Sequence, residues 1–389
     1  MTDGADGEPR VGMLETIREY ALERLEQAGE LDDARRRHAQ YYAAFAERAH
    51  GQLRGRAHLA ALDGLEAEHE NLRAALAWSL ETPAAGSAPA DRERAATGLQ
   101  LVQALALFWF RHGHATEGRR WLHRAIELAS DDAGAPLAKV AHWLGMLLQQ
   151  QSEFDAALRL FERSLAIWRD LSDRPEEARE LNSLGFTYRK LGDLDTARSL
   201  LEDSIAITRE HGTSARLAKT LMNLGQAESD AGNFDRASQL LQEALALSHK
   251  QGDMQDVAIN QLTLALISLR LGRAREARDQ LAAALGYAVS SGDTEFLLDA
   301  LEMSAAVAAN LGEGLRAARF IGAAQAIREK AGMPGAQSDQ ALLEQLLASA
   351  RDTIALSAWD AELAAGRALT QQQAAALLVS PSPAHDTLQ

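Results

Sequence analysis

The sequence predicts an all-α protein, a right-handed superhelical solenoid of about six helix–turn–helix repeats with helical caps at both ends. Three observations predict it. Alanine supplies 77 of the 389 residues, against 20 aromatics, 8 prolines and no cysteine. Alanine is the best helix former, and the Leu, Arg, Glu and Gln around it rank close behind, while the β-branched and aromatic residues that suit a sheet are thin. A turn-centred pattern recurs every 40 residues. Between its turns, apolar residues fall at steps of three and four, the period of a helix with one buried face.

The elements follow in order. Residues 1–12 are acidic and poor in apolar side chains, and are expected to be disordered. Residues 13–81 carry helical periodicity and predict an N-terminal bundle. Residues 82–94 (Thr-Pro-Ala-Ala-Gly-Ser-Ala-Pro-Ala-Asp-Arg-Glu-Arg) read as a linker. The array spans 95–331. Its clearest unit pairs Leu184-Gly185 with Gly192-Asp193-Leu194-Asp195-Thr196-Ala197. Forty residues on stand Leu224-Gly225 and Gly232-Asn233-Phe234-Asp235-Arg236-Ala237, then Leu264-Ala265 with Gly272 and Ala277, then Ala305 with Gly312 and Ala317. Stepping back gives Leu144-Gly145 with Ser152 and Ala157, and a weaker copy turns at Gly113.

Within a unit, Leu181, Leu184, Tyr188 and Leu191 stripe the first helix. Gly192 sits where a left-handed residue ends it, and an acidic or Asn residue opens the second. That helix, about Leu194 to Arg209, buries Ala197, Leu200, Leu201 and Ile205. Gly185 and Ala197 are expected to face each other, because a helical glycine costs about 1 kcal/mol relative to Ala unless helices must approach closely. Ser130 to Pro136 is a long turn. Residues 332–380 form a C-terminal helical cap, and 381–389 a disordered tail.

Composition excludes several functions. Forty basic and 55 acidic residues leave a net charge of −15, which repels a phosphate backbone, so no direct nucleic-acid binding is expected. Without cysteine there are no disulfides, thiolate metal sites or cysteine nucleophiles. The longest apolar run, Ala104 to Phe110, is far short of the roughly 20 residues of a membrane span. The N-terminus has no leader-like pattern, and a cytoplasmic protein with no membrane contact is expected. The five lysines, Lys139, Lys190, Lys219, Lys250 and Lys330, follow no glycine, so there is no phosphate-binding P-loop. His69-Glu70 lacks the second histidine of a helical zinc protease, and no Gly-x-Ser-x-Gly elbow, Ser-x-x-Lys pair or calcium loop occurs. No catalytic residues and no cofactor are expected. His112-x-His114, with Glu117 and His123 nearby, is the one metal-like cluster, and it reads more simply as a polar inter-helix turn with no metal. Trp109, Trp121, Trp143 and Trp168 read as core.

Leu184, Gly185, Tyr188, Gly192, Ala197 and Leu201 resemble the tetratricopeptide repeat, in a long form: the usual unit is about 34 residues. The flanks are similar to bacterial STAND-type ATPases and LuxR-like (AfsR-like) transcriptional regulators. That resemblance rests on 13–25 (Met-Leu-Glu-Thr-Ile-Arg-Glu-Tyr-Ala-Leu-Glu-Arg-Leu), which looks like the end of their winged-helix segment, and on Arg36-Arg37-His38-Ala39-Gln40-Tyr41-Tyr42. It rests also on 65–78, on Phe320-Ile321-Gly322-Ala323-Ala324-Gln325-Ala326-Ile327-Arg328 and on Gly366-Arg367-Ala368-Leu369-Thr370. The ATPase core and the DNA-binding domain of those regulators are not in this sequence.

In tetratricopeptide domains the first helices line a concave groove. Aligned at the 40-residue period, Lys139, Arg179 and Lys219 share one position; His142, Asn182 and Met222 the next; Met146, Phe186 and Gln226 a turn further; then Gln149, Arg189 and Ser229. The resemblance implies a peptide groove of Lys139, His142, Met146, Arg179, Asn182, Phe186, Arg189, Lys219, Met222 and Gln226. Its cations suit an acidic or carboxylate-ended segment. The simpler alternative is local ion pairing, such as Arg179 with Glu176 and Glu180. The function expected is a non-catalytic protein-interaction scaffold of a signalling or transcription regulator, whose partners are a protein or peptide, or a STAND ATPase in trans. The alternatives are an inducer-sensing domain for a small molecule, and a helical enzyme using the His112 cluster.

Overall fold

The computed structural model describes residues 2–3, 9–10, 13–53, 58–80, 89–111, 113–129, 134–331 and 337–380. His112, Ser130 to Ala133, residues 332–336 and the 381–389 tail lie outside them, as does the 82–88 part of the expected linker. Two compact units divide the chain after Asp193.

The first unit opens with Thr2–Asp3 and Pro9–Arg10 paired antiparallel, where disorder was expected. Then come α1 (Glu15–Ala28), α2 (Leu31–Gln52), α3 (His58–Ala67), α4 (His69–Leu80), α5 (Pro89–Arg111), α6 (Ala115–Leu128), α7 (Ala135–Gln150), α8 (Phe154–Asp170) and α9 (Arg174–Leu191). Helix α5 begins inside the expected linker, and a proline at the first helical position suits it because that amide has no intrahelical partner. Trp109, Trp121 and Trp168 are buried as expected, but Trp143 is only half-buried, beside Phe110.

The second unit holds α10 (Leu194–His211), α11 (Ser214–Asp230), α12 (Phe234–Gln251), α13 (Met254–Arg270), α14 (Ala274–Ser290), α15 (Thr294–Asn310) and α16 (Gly314–Ala331). The C-terminal helices are α17 (Gln337–Thr353), α18 (Leu356–Arg367) and α19 (Gln371–Leu378). Helices α7 and α8, α11 and α12, α13 and α14, and α15 and α16 pack as hairpins.

Turn chemistry follows the repeat. Gly192 has φ +85°, and its amide and that of Asp193 close on the carbonyls of Arg189 and Tyr188, the left-handed helix ending that favours glycine. In the preceding repeat Ser152 occupies the equivalent position at φ +62°. Helix capping departs from expectation. Asn233 does not cap α12 through its side chain; its Nδ2 instead donates to Glu228, 2.6 Å away. The side-chain caps stand on the first helices: Asp173, Thr213, Asp253 and Asp293 accept from the amides of Glu176, Arg216, Asp256 and Phe296. These four recur at the same 40-residue period.

Small residues set the hairpin spacing. A Cβ on Gly145 would lie 2.7 Å from the Phe161 ring, and one on Gly225 2.7 Å from Leu241 and 3.4 Å from the Ala237 carbonyl. Gly225 and Ala237 thus meet as the repeat pattern requires. At the C-terminal cap the contact is backbone on backbone. A Cβ on Gly322 of α16 would lie 2.0 Å from the Leu363 carbonyl oxygen, and one on Gly366 of α18 2.1 Å from that of Arg319. Arg319 and Arg367 bridge the same helices to Glu362 and Glu329, at 2.7 and 2.6 Å. Thr370 then closes a capping box with Gln373 at the start of α19.

Gly322→Ala or Gly366→Ala must push two helix backbones apart and is expected to cost about 3 kcal/mol, read from urea denaturation. Gly286→Ala, in a helix with open space at its Cβ, is expected to be neutral or to stabilise by up to about 1 kcal/mol.

Candidate functional site

The groove positions are placed unevenly. In the first unit Lys139 of α7 is exposed, while Met146, Arg179, Asn182, Phe186 and Arg189 are half-buried. His142 is only 6% exposed, and its Nδ1 lies 3.0 Å from Oε2 of Glu180 on α9, a carboxylate with no exposure at all. Arg179 pairs with Glu176 at 2.7 Å and with Glu180 at 3.3 Å, so the local ion pairing named as the simpler alternative is present. Arg189 and Lys190 stand over the Phe186 ring, 5.3 and 5.8 Å from its centroid, a cation–π arrangement that keeps positive charge beside an apolar knob. Gln149 Nε2 on α7 donates to Thr187 on α9 at 2.7 Å.

In the second unit Lys219 is exposed, its Nζ 3.8 Å from Asp256 on α13. Gln226 is half-buried. Met222 is 5% exposed and packs in the core formed by α10 to α13. His142 and Met222 therefore contribute packing, whereas Lys139, Met146, Arg179, Asn182, Phe186, Arg189, Lys219 and Gln226 keep solvent-facing surface.

A regularity not drawn from the sequence accompanies them. Across 135–310, every buried carboxylate, amide and imidazole belongs to a first helix: His142; Glu177 and Glu180; Asn223 and Glu228; Asp256, Asn260 and Gln261. The second helices of that stretch bury only hydroxyls: Ser164, Ser204, Thr208 and Ser248. Buried polar groups are costly unless paired. Glu228 is well paired, receiving Arg198 at 3.0 Å, Arg236 at 3.0 Å and Asn233 at 2.6 Å. The side-chain oxygens of Asn260 and Gln261 have no partner. The missed signal lay in the same periodicity: Glu180, Thr220 and Asn260 are 40 apart, one residue beyond the cationic position.

The metal-like cluster takes a different form from the one its spacing suggested. His112 is outside the described residues, and His123 is exposed beside Glu127 at 3.3 Å. His114 and Glu117 instead meet residues of the N-terminal bundle. His114 Nε2 is 2.9 Å from Glu66, and His69 Nε2 is 3.1 Å from Glu117. Arg73 grips Glu117 with Nε and a terminal nitrogen at 2.9 and 2.7 Å. Burial pushes His69 below the usual histidine range. Burial acts upward on Glu117 most strongly, but the Arg73 hydrogen bonds, the His69 and Arg73 charges and the Trp121 hydrogen bond together outweigh it and hold the carboxyl low.

Sequence models of the tetratricopeptide repeat match residues 136–210 and 217–250, so those segments are tetratricopeptide repeats. Among solved structures, a tetratricopeptide repeat protein from Parabacteroides merdae superposes with a TM-score of 0.50 at 16% identity, covering 80% of this chain and 99% of that one. BtubC from P. vanneervenii matches with a TM-score of 0.45 at 20% identity, over 57% and 87% of the two chains. The first of these likenesses places the chain in the tetratricopeptide fold and goes no further. Among curated proteins, two named as HTH-type transcriptional regulators, from Mycobacterium tuberculosis and Mycobacterium bovis, are each 36% identical over 134 residues, 33% of this chain. The chain spans only 13% of the length of those relatives. No described helix is long and apolar enough to cross a membrane.

Burial raises the Asp256 carboxyl, with Lys219 pulling it partly back. A folded-state value above the unfolded one of about 3.9 means the native state binds the extra proton, so stability falls as pH rises through that window. Asp256→Asn is expected to raise the urea midpoint at pH 7, with the advantage shrinking toward zero below about pH 4.

Proposed function

We propose that the chain is a non-catalytic protein-interaction scaffold whose first helices receive a peptide or protein segment. The observation that carries this is the one-sided chemistry of the repeats. Within the first unit Lys139 is exposed and Phe186 lies under two cations, and within the second Lys219 is exposed, on the same first helices that bury the carboxylate, amide and imidazole groups. Recognition surfaces combine apolar contact with a few placed polar groups, and cations bind carboxylates through charge-assisted hydrogen bonds. The favoured ligand is an acidic or carboxylate-ended segment of a cytoplasmic partner, bound without nucleic acid. Groove membership extends to Met146, Arg179, Asn182, Arg189 and Gln226. The relatives named as HTH-type transcriptional regulators support a place in such a regulator as its repeat region; action on a STAND ATPase in trans rests on the resemblance of the flanks alone.

A peptide library carrying acidic C-termini, free or amidated, tests this by fluorescence polarisation. Free-acid peptides are expected to bind, and Lys139→Glu with Lys219→Glu to weaken them at least tenfold while circular dichroism stays helical. Unchanged affinity in the double variant overturns the groove. Thermal shifts with metabolites and none with peptides would instead make the chain an inducer sensor.

A further inference from the structure

We infer that Glu66, His69 and His114 form a binding site for a zinc-like divalent cation within the first unit. One donor atom from each lies within 4.8 Å of the others. The donors come from the end of α3, the start of α4 and the turn leading into α6. Glu66 lies in the last turn of α3 and His69 opens α4 across the turn at Glu68, and Glu66 Oε2 lies 2.9 Å from His114 Nε2 while its Oε1 lies 4.0 Å from His69 Nδ1. Ligand atoms about 2.1 Å from a tetrahedral ion stand about 3.4 Å apart, so these separations straddle the required edge. The two imidazoles meet at 62° with centroids 4.4 Å apart, which lets ring nitrogens converge where stacked rings would not.

Two features of the surroundings fit an ion here. His69 is 8% exposed, and its Nε2 stands 3.1 Å from Glu117 without a hydrogen bond of normal geometry, a state native interiors rarely tolerate. A carboxylate placed to serve as the outer shell of a metal site stands beside it. A metal-bound histidine commonly gives its second ring N–H to a carboxylate. With Nδ1 directed to the ion, His69 Nε2 faces Glu117 at 3.1 Å, and Arg73 fixes Glu117 from behind. Three protein ligands leave a fourth position for water, and the half-exposed Glu66 and His114 leave it open to solvent. Imidazole with carboxylate favours zinc over magnesium or calcium. The ion would tie the N-terminal bundle to the turn between α5 and α6.

The test uses the full chain, stripped with chelator and titrated with zinc chloride by calorimetry, with cobalt absorption reporting coordination geometry. One zinc ion per chain, a higher melting temperature and a tetrahedral cobalt spectrum are expected. Glu66→Gln, His69→Gln and His114→Ala should each weaken zinc at least tenfold, and Glu117→Gln by about 10- to 100-fold. His123→Ala should leave binding unchanged, and circular dichroism should show every variant folded. No zinc binding overturns the site. So does loss in His114→Ala with none in Glu66→Gln or His69→Gln, which would move the ion to the turn alone.

Discussion

Helices in this chain approach one another at positions where little more than a hydrogen atom fits. Gly118 meets Trp109, Gly145 meets Phe161, Gly225 meets Leu241, and Gly322 and Gly366 each meet the opposite backbone. The facing positions on the second helices are alanines buried to zero exposure: Ala157, Ala197, Ala237, Ala277 and Ala317. This close packing makes the repeat possible, because a single hairpin has too little apolar face to be stable and must borrow burial from its neighbours. Alanine richness is therefore a steric requirement at one period as well as a helix preference. The C-terminal cap applies it most strictly, since a carbonyl oxygen cannot rotate away as a side chain can.

Much of this was legible. Turn glycines, small helix-facing positions and the 40-residue period are local features, each with a local physical cause, and the helices stand where the period puts them. Gly322 and Gly366, from two separate stretches of the sequence, lie on the two helices that pack backbone to backbone. What failed was phase. A first helix in an array is packed on more than one side, so its buried arc is wide and period alone does not place the boundary with solvent. His142 and Met222 fell inside that boundary, while Trp143, one residue further on, stayed half outside. The caps at Asp173, Thr213, Asp253 and Asp293 were readable in principle. The meeting of His69 with His114 was not, because 45 residues and several helices separate them and no spacing rule spans that distance.

The polar interior of the first helices follows from the same geometry. Within each unit these groups pair between successive repeats: His142 with Glu180, Gln149 with Thr187, Lys219 with Asp256. Such pairs add little net stability, since desolvation offsets most of the attraction, but they reward one stacking register and penalise others. The apolar faces of repeats that share their small and apolar positions make that distinction poorly, because a shifted repeat buries much the same surface. Specific pairing of buried charge is thus the natural device for ordering an array built from copies.

A device that orders repeats also constrains where a ligand can gain affinity. Paired groups such as Glu228 are already satisfied by three donors and offer an incoming segment nothing. Unpaired acceptors offer it no more. The side-chain oxygens of Asn260 and Gln261 bear the desolvation cost with no bond to offset it, and with Asn260 wholly buried and Gln261 9% exposed that cost is carried by the fold rather than offered to a ligand. Within the second unit these two residues lie on the helix that also carries Asp256, the partner of Lys219. The first-helix chemistry left facing solvent is instead cationic, at Lys139 in the first unit and at Lys219 in the second.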